Sequence, residues 1–178
     1  FKDWFGDSKV VNEDGTPKIV YHGSGYSFDQ FEGIIWFGDS EIASRYATMR
    51  SEEAFESGYD SFAQVYPVYL NIRNPLIIPD LQIEVSVKEF NKMFNMSLSE
   101  DDPNADYPFP IYDHLRDELV IGELKKQGYD GIKGIEKHSG YKDATTYATF
   151  EPVQVKSIFN KGTFNPHDPR ISFRMAPT

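Results

Sequence analysis

The residues with the clearest chemical potential are His22, at the end of the apolar run IVYH, and the small residues Gly23, Ser24 and Gly25 that follow it. A histidine can donate to a hydroxyl. A glycine lets a ligand come close enough for the backbone amide and carbonyl to pair with a carboxamide. The segment IIWFGDSEIASRYA adds two flat aromatics, Trp36 and Tyr46, with Phe37 beside the first. Such a pair can sandwich a pyridinium-type ring by stacking and cation-π attraction. Each feature also has a plainer reading, as a strand-end histidine satisfied by its neighbours and as ordinary core aromatics. The functional reading rests on their combination.

These side chains need elements to hold them. The opening FKDWFGDSKVVNEDGTPKIVYHG reads as an aromatic turn followed by a hairpin, with strands at Lys9 to Val11 and Lys18 to His22 around Asp14 and Gly15. A short strand ends at Phe37, and Asp39 or Ser40 caps a helix to about Met49 with Ile42, Ala43, Tyr46 and Ala47 facing inward. Residues 50–63 are polar and read as a mobile surface loop. Ala63 to Ile72 gives the longest strand signal, with Pro67 favouring an edge position or a bulge. A turn at Asn74-Pro75 and another short strand follow, then a helix capped by Ser86, then the irregular acidic stretch SEDDPNADYPFP. From Asp113 one helix is expected, with Leu115, Leu119 and Leu124 inward and Gly128 as its cap. YDGIKG, TYATF and QVKSIF read as three strands, and residues 162–178 as an extended tail or interdomain linker.

With 178 residues, 39% of them apolar, the chain suits a single globular domain, which at this size buries about two-thirds of its unfolded surface. It starts at Phe1, as expected of a segment cut from a longer polypeptide. Cysteine is absent, so disulfides, thiolate nucleophiles and Cys-based metal sites are excluded and a reducing compartment is permitted. The formal charge of −10 disfavours nonspecific binding to a phosphate backbone, without excluding a nucleic-acid partner. No apolar run approaches bilayer-spanning length, so no membrane partner is expected. The four histidines, His22, His114, His138 and His167, are far apart and suggest no metal site. Signatures for dinucleotide and phosphate loops, zinc proteases and serine hydrolases are missing.

The ordered segments VYHGSG, WFGDSEIASRYA, LNIRNPL, GYDGIKG and TYATFEPVQVKSIFNKGTFNPHDPRI resemble the ADP-ribosyltransferase domains of polyvalent and head-morphogenesis proteins of phages and conjugative elements. The resemblance spans nearly the whole chain. It extends more distantly to poly-ADP-ribose polymerases and diphtheria toxin. It implies an α+β fold with a split, mainly antiparallel sheet and flanking helices, with NAD bound between the halves of the sheet. It also implies NAD as co-substrate, with no metal, and transfer of ADP-ribose to a macromolecular acceptor, a host protein met in the bacterial cytoplasm. An immunity or antitoxin protein is a further partner that such a toxin-like role would bring.

Carried over by position, the resemblance makes His22, Trp36 and Thr146 catalytic and His22, Gly23, Ser24, Trp36, Phe37 and Tyr46 NAD-binding. His22 would hold the adenine-side ribose, the Gly23 backbone the nicotinamide carboxamide, and Tyr46 would stack on nicotinamide. Trp36 stands where the family has a tyrosine, so the aromatic is kept and the hydroxyl lost. Thr146, four residues before Phe150, stands where the family has a glutamate. That carboxylate stabilises the oxocarbenium charge that develops as the nicotinamide-ribose bond breaks, and losing a comparable stabiliser costs on the order of 3 kcal/mol. Three outcomes stay open: a mono-transferase that tolerates threonine, a carboxylate borrowed from Glu151 or Asp143, or binding without catalysis. Strand alternation puts Glu151 on the opposite face from Thr146. NAD hydrolysis to free ADP-ribose is a further activity of the same pocket.

Overall fold

The computed structural model describes residues 1–25, 28, 30–59, 61–137, 142–160 and 164–172. In chain order these form α1 (Lys2–Phe5), β1 (Val20–Ser24), β2 (Ile35–Phe37), α2 (Ser40–Glu56), β3 (Gln64–Leu70), β4 (Pro75–Ile78), β5 (Glu84–Val85), α3 (Val87–Phe94), β6 (Phe109–Pro110), α4 (Ile111–His114), α5 (Glu118–Lys126), β7 (Gly131–Glu136), β8 (Ala144–Thr149) and β9 (Val155–Ser157). One sheet has the order β1-β3-β9, a second β2-β8-β7-β4, and β5 pairs with β6. All pairings are antiparallel except β4 with β7. The expected α+β architecture with a split, mainly antiparallel sheet is what the chain adopts. No helix among the described residues is long and apolar enough to cross a membrane.

Two apolar clusters hold the halves together. Phe90, Leu115, Leu124, Ile132 and Ala148 join the helices α3 to α5 to one face of the larger sheet. Val20, Phe37, Val68, Leu70, Tyr147 and Val155 fill the space between the sheets. The sequence ATTYAT of β8 serves both, because alternate residues point to opposite faces and both faces are covered. Ala148 belongs to the first cluster and Tyr147 to the second.

Among the described residues one isolated backbone bridge joins the sheets. Tyr21 and Gly38 exchange hydrogen bonds, each 2.9 Å, just past the end of β2. Helix α2 begins at the next residue, where the Asp39 side chain accepts from the Ile42 amide at 2.8 Å. The helix lies directly on β1. Its buried residues are Ala43 and Ala47, and a Cβ on Gly23 would sit 1.9 Å from the Ala43 carbonyl oxygen. On Gly25 it would sit 2.8 Å from the Arg50 carbonyl. Strand β1 runs on through Ser24, beyond the expected end at His22, so the small residues are strand positions that admit the helix backbone.

Several expectations are corrected. Residues 50–56, expected in a mobile loop, continue α2. This half of the helix is mostly exposed and carries pairs such as Arg50 with Glu53 at 3.0 Å, so it shows no apolar stripe. Strand β3, for which Pro67 favours an edge position or a bulge, is central. Pro67 is tolerated because Tyr21 opposite it bonds to Gly38, while β9 has ended at Ser157 and only the Pro67 carbonyl is used, by Ile158 at 3.2 Å. The single helix expected from Asp113 is two, because Asp117 caps a new one by accepting from the Leu119 amide at 2.9 Å. Leu119 is consequently exposed, and Val120, Ile121 and Leu124 form the buried face. Gly128 does follow the helix, with φ of 94°. The first hairpin is reduced to the bridge Val11 with Pro17.

Residues 164–172 dock on the body. Ile171 is buried and its carbonyl accepts from the Ser157 amide at 2.8 Å, and the Lys156 ammonium donates to the Asp168 and Arg170 carbonyls.

The close approach of α2 to β1 predicts an asymmetry between glycines. Gly23→Ala has to push helix backbone aside and should cost about 3 kcal/mol or more, at the top of the range for overpacking. Gly15→Ala, at φ 81° with nothing within 4 Å, should cost only about 1–2 kcal/mol of left-handed strain. Urea denaturation of the two variants checks this, and equal losses would mean that the helix does not depend on the glycine.

Candidate functional site

His22 sits where the two sheets meet. Its Nδ1 lies 2.8 Å from the Trp36 carbonyl on β2. A carbonyl can only accept, so Nδ1 carries the hydrogen and Nε2 of the neutral ring is a lone pair. The ring is packed among Phe31, Phe37 and Phe28, with centroids at 5.1, 5.6 and 6.2 Å. Burial pushes the His22 pKa below its ordinary value, the Trp36 carbonyl opposes this, and the Arg50 guanidinium adds to the depression. The neutral ring therefore presents an acceptor at Nε2.

Strand geometry fixes what Gly23 offers. Tyr21 directs its N–H and C=O toward Gly38, away from β3, and successive residues of a strand alternate. The amide and carbonyl of Gly23 thus face the same cleft edge as those of Tyr21. They point along the gap between the sheets rather than into the ladder.

Two cavities adjoin here and share His22, Gly23, Ile35 and Arg50. The larger, about 680 Å³, is walled by Ser24, Gly25, Phe28, Phe31, Glu53 and Tyr59. The smaller, about 160 Å³, is walled by Trp36, Phe37, Tyr46, Tyr112, Glu136 and Thr146. That second volume suits one aromatic ring, since a cavity of about 150 Å³ holds a benzene. The sequence-selected residues are therefore gathered in one place, with Ser24 on the large side and Trp36, Phe37, Tyr46 and Thr146 on the small side. Phe37 is almost fully buried and contributes mainly as packing behind His22.

Trp36 rests against Tyr112, with ring centroids 5.1 Å apart, and its Nε1 is buried with no hydrogen-bond partner among the described residues. An unpaired buried donor costs roughly 1–3 kcal/mol. Tyr46 is held by α2 one turn before Arg50, and the two share a helix face. Thr146 is buried, and its hydroxyl donates to the Gly134 carbonyl at the long distance of 3.5 Å.

Among the cavity-wall residues not found from sequence are Tyr112, Arg50 and Glu136. Glu136 is 5% exposed, and its charge is the second cause, after burial, that raises the phenol pKa of both Tyr46 and Tyr112. A signal for it existed. In GIKGIE, Glu136 has the parity of Ile132 and Gly134, the face that strand alternation buries. The carboxylates nearest Thr146 in sequence lie elsewhere. Glu151 pairs with Lys125, Asp143 is exposed, and neither lines the two cavities. His114 stacks on Phe90 and bonds to the Val85 carbonyl at 2.7 Å, away from the cleft. His167 lies in an exposed turn, and His138 falls outside the described residues. Among the described residues no three acidic or histidine side chains group in a way that could hold a metal ion.

The His22 environment gives a pH dependence with a definite sign. The folded pKa lies below the ordinary 6.5, so the unfolded chain takes up a proton that the folded chain refuses. This contribution to stability is present above about pH 6.5 and is lost as pH falls through the folded pKa. Thermal melts between pH 7.5 and 5.5 should show a steeper acid loss for the native chain than for His22→Gln. Parallel curves would show that the ring is not held neutral.

No curated protein and no solved structure matches the chain. A family model described as ADP-ribosyltransferase in polyvalent proteins matches residues 12–164, from the first turn through the end of the cleft-forming strands and beyond β9. With that match over most of its length, the chain belongs to the ADP-ribosyltransferase domains of polyvalent proteins.

Proposed function

We propose that this domain is a mono-ADP-ribosyltransferase that moves ADP-ribose from NAD to a macromolecular acceptor, a protein, and releases nicotinamide. The observation that carries the reading is the pair of adjoining cavities, one ring-sized and one large, that meet at His22, Gly23 and Arg50. NAD has the same form, with a small nicotinamide riboside and a larger adenosine joined through a diphosphate.

The residues present fit that substrate. The Gly23 backbone, directed into the cleft, offers the donor and acceptor that a carboxamide needs. Tyr46 provides an aromatic face beside it. Trp36 keeps a donor, its Nε1–H, where a tyrosine hydroxyl would stand, and a shift of the ring that uncovers it would let it bond to the nicotinamide ribose. His22 accepts from a ribose hydroxyl on the adenosine side through Nε2. Arg50 borders both cavities, where a guanidinium can hold the diphosphate. Its partner Glu53 would yield to the doubly charged group.

A protein acceptor suits the net charge of −10, which weakens attraction to nucleic acid. The setting this implies is the cytoplasm of a bacterial host, where the parent polypeptide meets host proteins.

Incubation of the protein with labelled NAD and a bacterial lysate should place label on protein. NAD titration should show about tenfold weaker binding for Trp36→Phe and about ten- to a hundredfold for Arg50→Gln, as expected for losing a neutral and a charged hydrogen bond. His167→Ala, in the exposed turn, should bind as the native chain does. Absence of NAD binding, or label confined to nucleic acid, would overturn the assignment.

A further inference from the structure

We infer that Glu136, on the strand next to the family's expected position, supplies the carboxylate that Thr146 lacks, by holding the 2′-hydroxyl of the nicotinamide ribose as the glycosidic bond breaks. The inference rests on the reading of the cleft as an NAD site and adds to it a catalytic residue that no part of the sequence pattern assigns.

The geometry is that of neighbouring strands. Thr146 on β8 stands directly across from Gly134 on β7, and Glu136 is two residues further along β7. All three therefore lie on one face, with Glu136 and Thr146 as diagonal neighbours about 7–8 Å apart at Cα. The wall opposite Thr146 is apolar, because Leu81 fills the space over Gly134, where a Cβ would come within 2.5 Å of it. The first polar side chain beyond that wall is Glu136. Its longer arm carries a carboxylate into the cavity that Thr146 lines, and the cavity wall includes both residues.

Glu136 is buried, and its charge acts on the phenols of Tyr46 and Tyr112, which line the same cavity. Both phenols are held protonated, chiefly by burial and then by this charge. The result is a negative group fixed beside the ring-sized cavity. Thr146 is a poor substitute, being uncharged and with its hydroxyl proton directed at the Gly134 carbonyl.

The step balances without any further reactant. The C1′–N bond of NAD breaks and its electron pair passes to the pyridine nitrogen, which leaves as neutral nicotinamide. An acceptor nucleophile, or water when no acceptor is present, forms the new bond at C1′ and gives its proton to solvent. The Glu136 carboxylate takes part by hydrogen bonding and by charge as positive character develops on C1′, and it is unchanged at the end.

The test uses the full chain with NAD alone, following nicotinamide release and, separately, NAD affinity. Glu136→Gln should keep NAD affinity within a few-fold and lower the rate of nicotinamide release about a hundredfold or more. Thr146→Val should lower it less than tenfold. Because a merely structural glutamate could also be lost on substitution, the double variant Glu136→Gln/Thr146→Glu is the deciding arm. Returning a carboxylate to the cavity from the neighbouring strand should recover at least tenfold of the lost rate. Turnover in Glu136→Gln close to that of the native chain, or no recovery in a folded, NAD-binding double variant, overturns the assignment of Glu136 and leaves the NAD reading standing. NAD binding with no nicotinamide release by the native chain overturns it as well. Failure of the native chain to bind NAD removes the proposed function itself, a result that the affinity arm distinguishes from the others.

Discussion

The contact on which the site depends is the backbone-to-backbone approach of α2 and β1. Gly23 on the strand and Gly25 just past its end carry no side chain, Ala43 and Ala47 leave almost none on the helix, and the Ala43 carbonyl occupies the place of a Cβ on Gly23. Dense packing of this kind is rigid, since neither partner can settle closer or rotate without collision. It fixes Tyr46 and Arg50 relative to His22, although these residues come from different elements. The same contact explains why the glycines are needed whether or not a ligand binds. Their functional and structural roles coincide, because a strand stripped of side chains on one face also exposes its polar backbone at the cleft edge.

A second set of bonds ties together three segments that wall neither of the two cleft cavities. The Gln154 side chain accepts from the amides of Phe150 and Glu151 at 3.0 and 2.8 Å. It donates to the carbonyls of Asn71 and Asp130 at 3.0 and 2.7 Å. Asp130 in turn receives the Arg73 and Asn74 amides, each at 2.8 Å. Three stretches of sequence, LNIRNP, GYDG and FEPVQ, are tied into one knot by these bonds. It sets where β7, β8 and β9 begin or end, and so where Thr146 and Glu136 stand along their strands. A buried amide with all its bonding capacity used cannot be shifted without leaving several backbone groups unpaired.

Sequence reasoning reached the larger part of this and missed the rest for identifiable reasons. The strands β7 to β9, helix α3 with its Ser86 and Glu89 capping box, and the start of α2 at Asp39 follow from local chemistry. The C-terminal half of α2 was hidden because an exposed helix needs no apolar stripe. The central place of β3 was hidden because the tolerance for Pro67 is decided by partners, namely Gly38 across from Tyr21 and the end of β9 at Ser157. His22, Gly23, Trp36, Tyr46 and Thr146 line one cavity. Glu136 escaped because proximity in sequence to Thr146 pointed to Asp143 and Glu151, whereas a sheet makes neighbours of residues ten apart. Trp36 looked like the loss of a hydroxyl, and only its buried Nε1 reveals that a donor remains.

The electrostatics of the cleft form a gradient rather than a uniform field. Around Arg50 and His22 the potential is positive enough to help depress the histidine, whereas at the other end Glu136 raises the phenols of Tyr46 and Tyr112. Arg50 acts on both tyrosines in the opposite sense to Glu136, so the two charges are felt across the whole of the small cavity. A substrate with a negative linker and a positive ring has one orientation that satisfies such a field and one that opposes it at both ends. On the proposed reading, NAD laid with its diphosphate at Arg50 and its nicotinamide beside Glu136 would take the favourable one. As the bond to the ring broke, positive charge would move from the pyridinium to the ribose carbon, still near the carboxylate. Electrostatic stabilisation of this kind is catalytic because the fixed charge is already in place, so no dipole has to reorganise when the positive charge migrates.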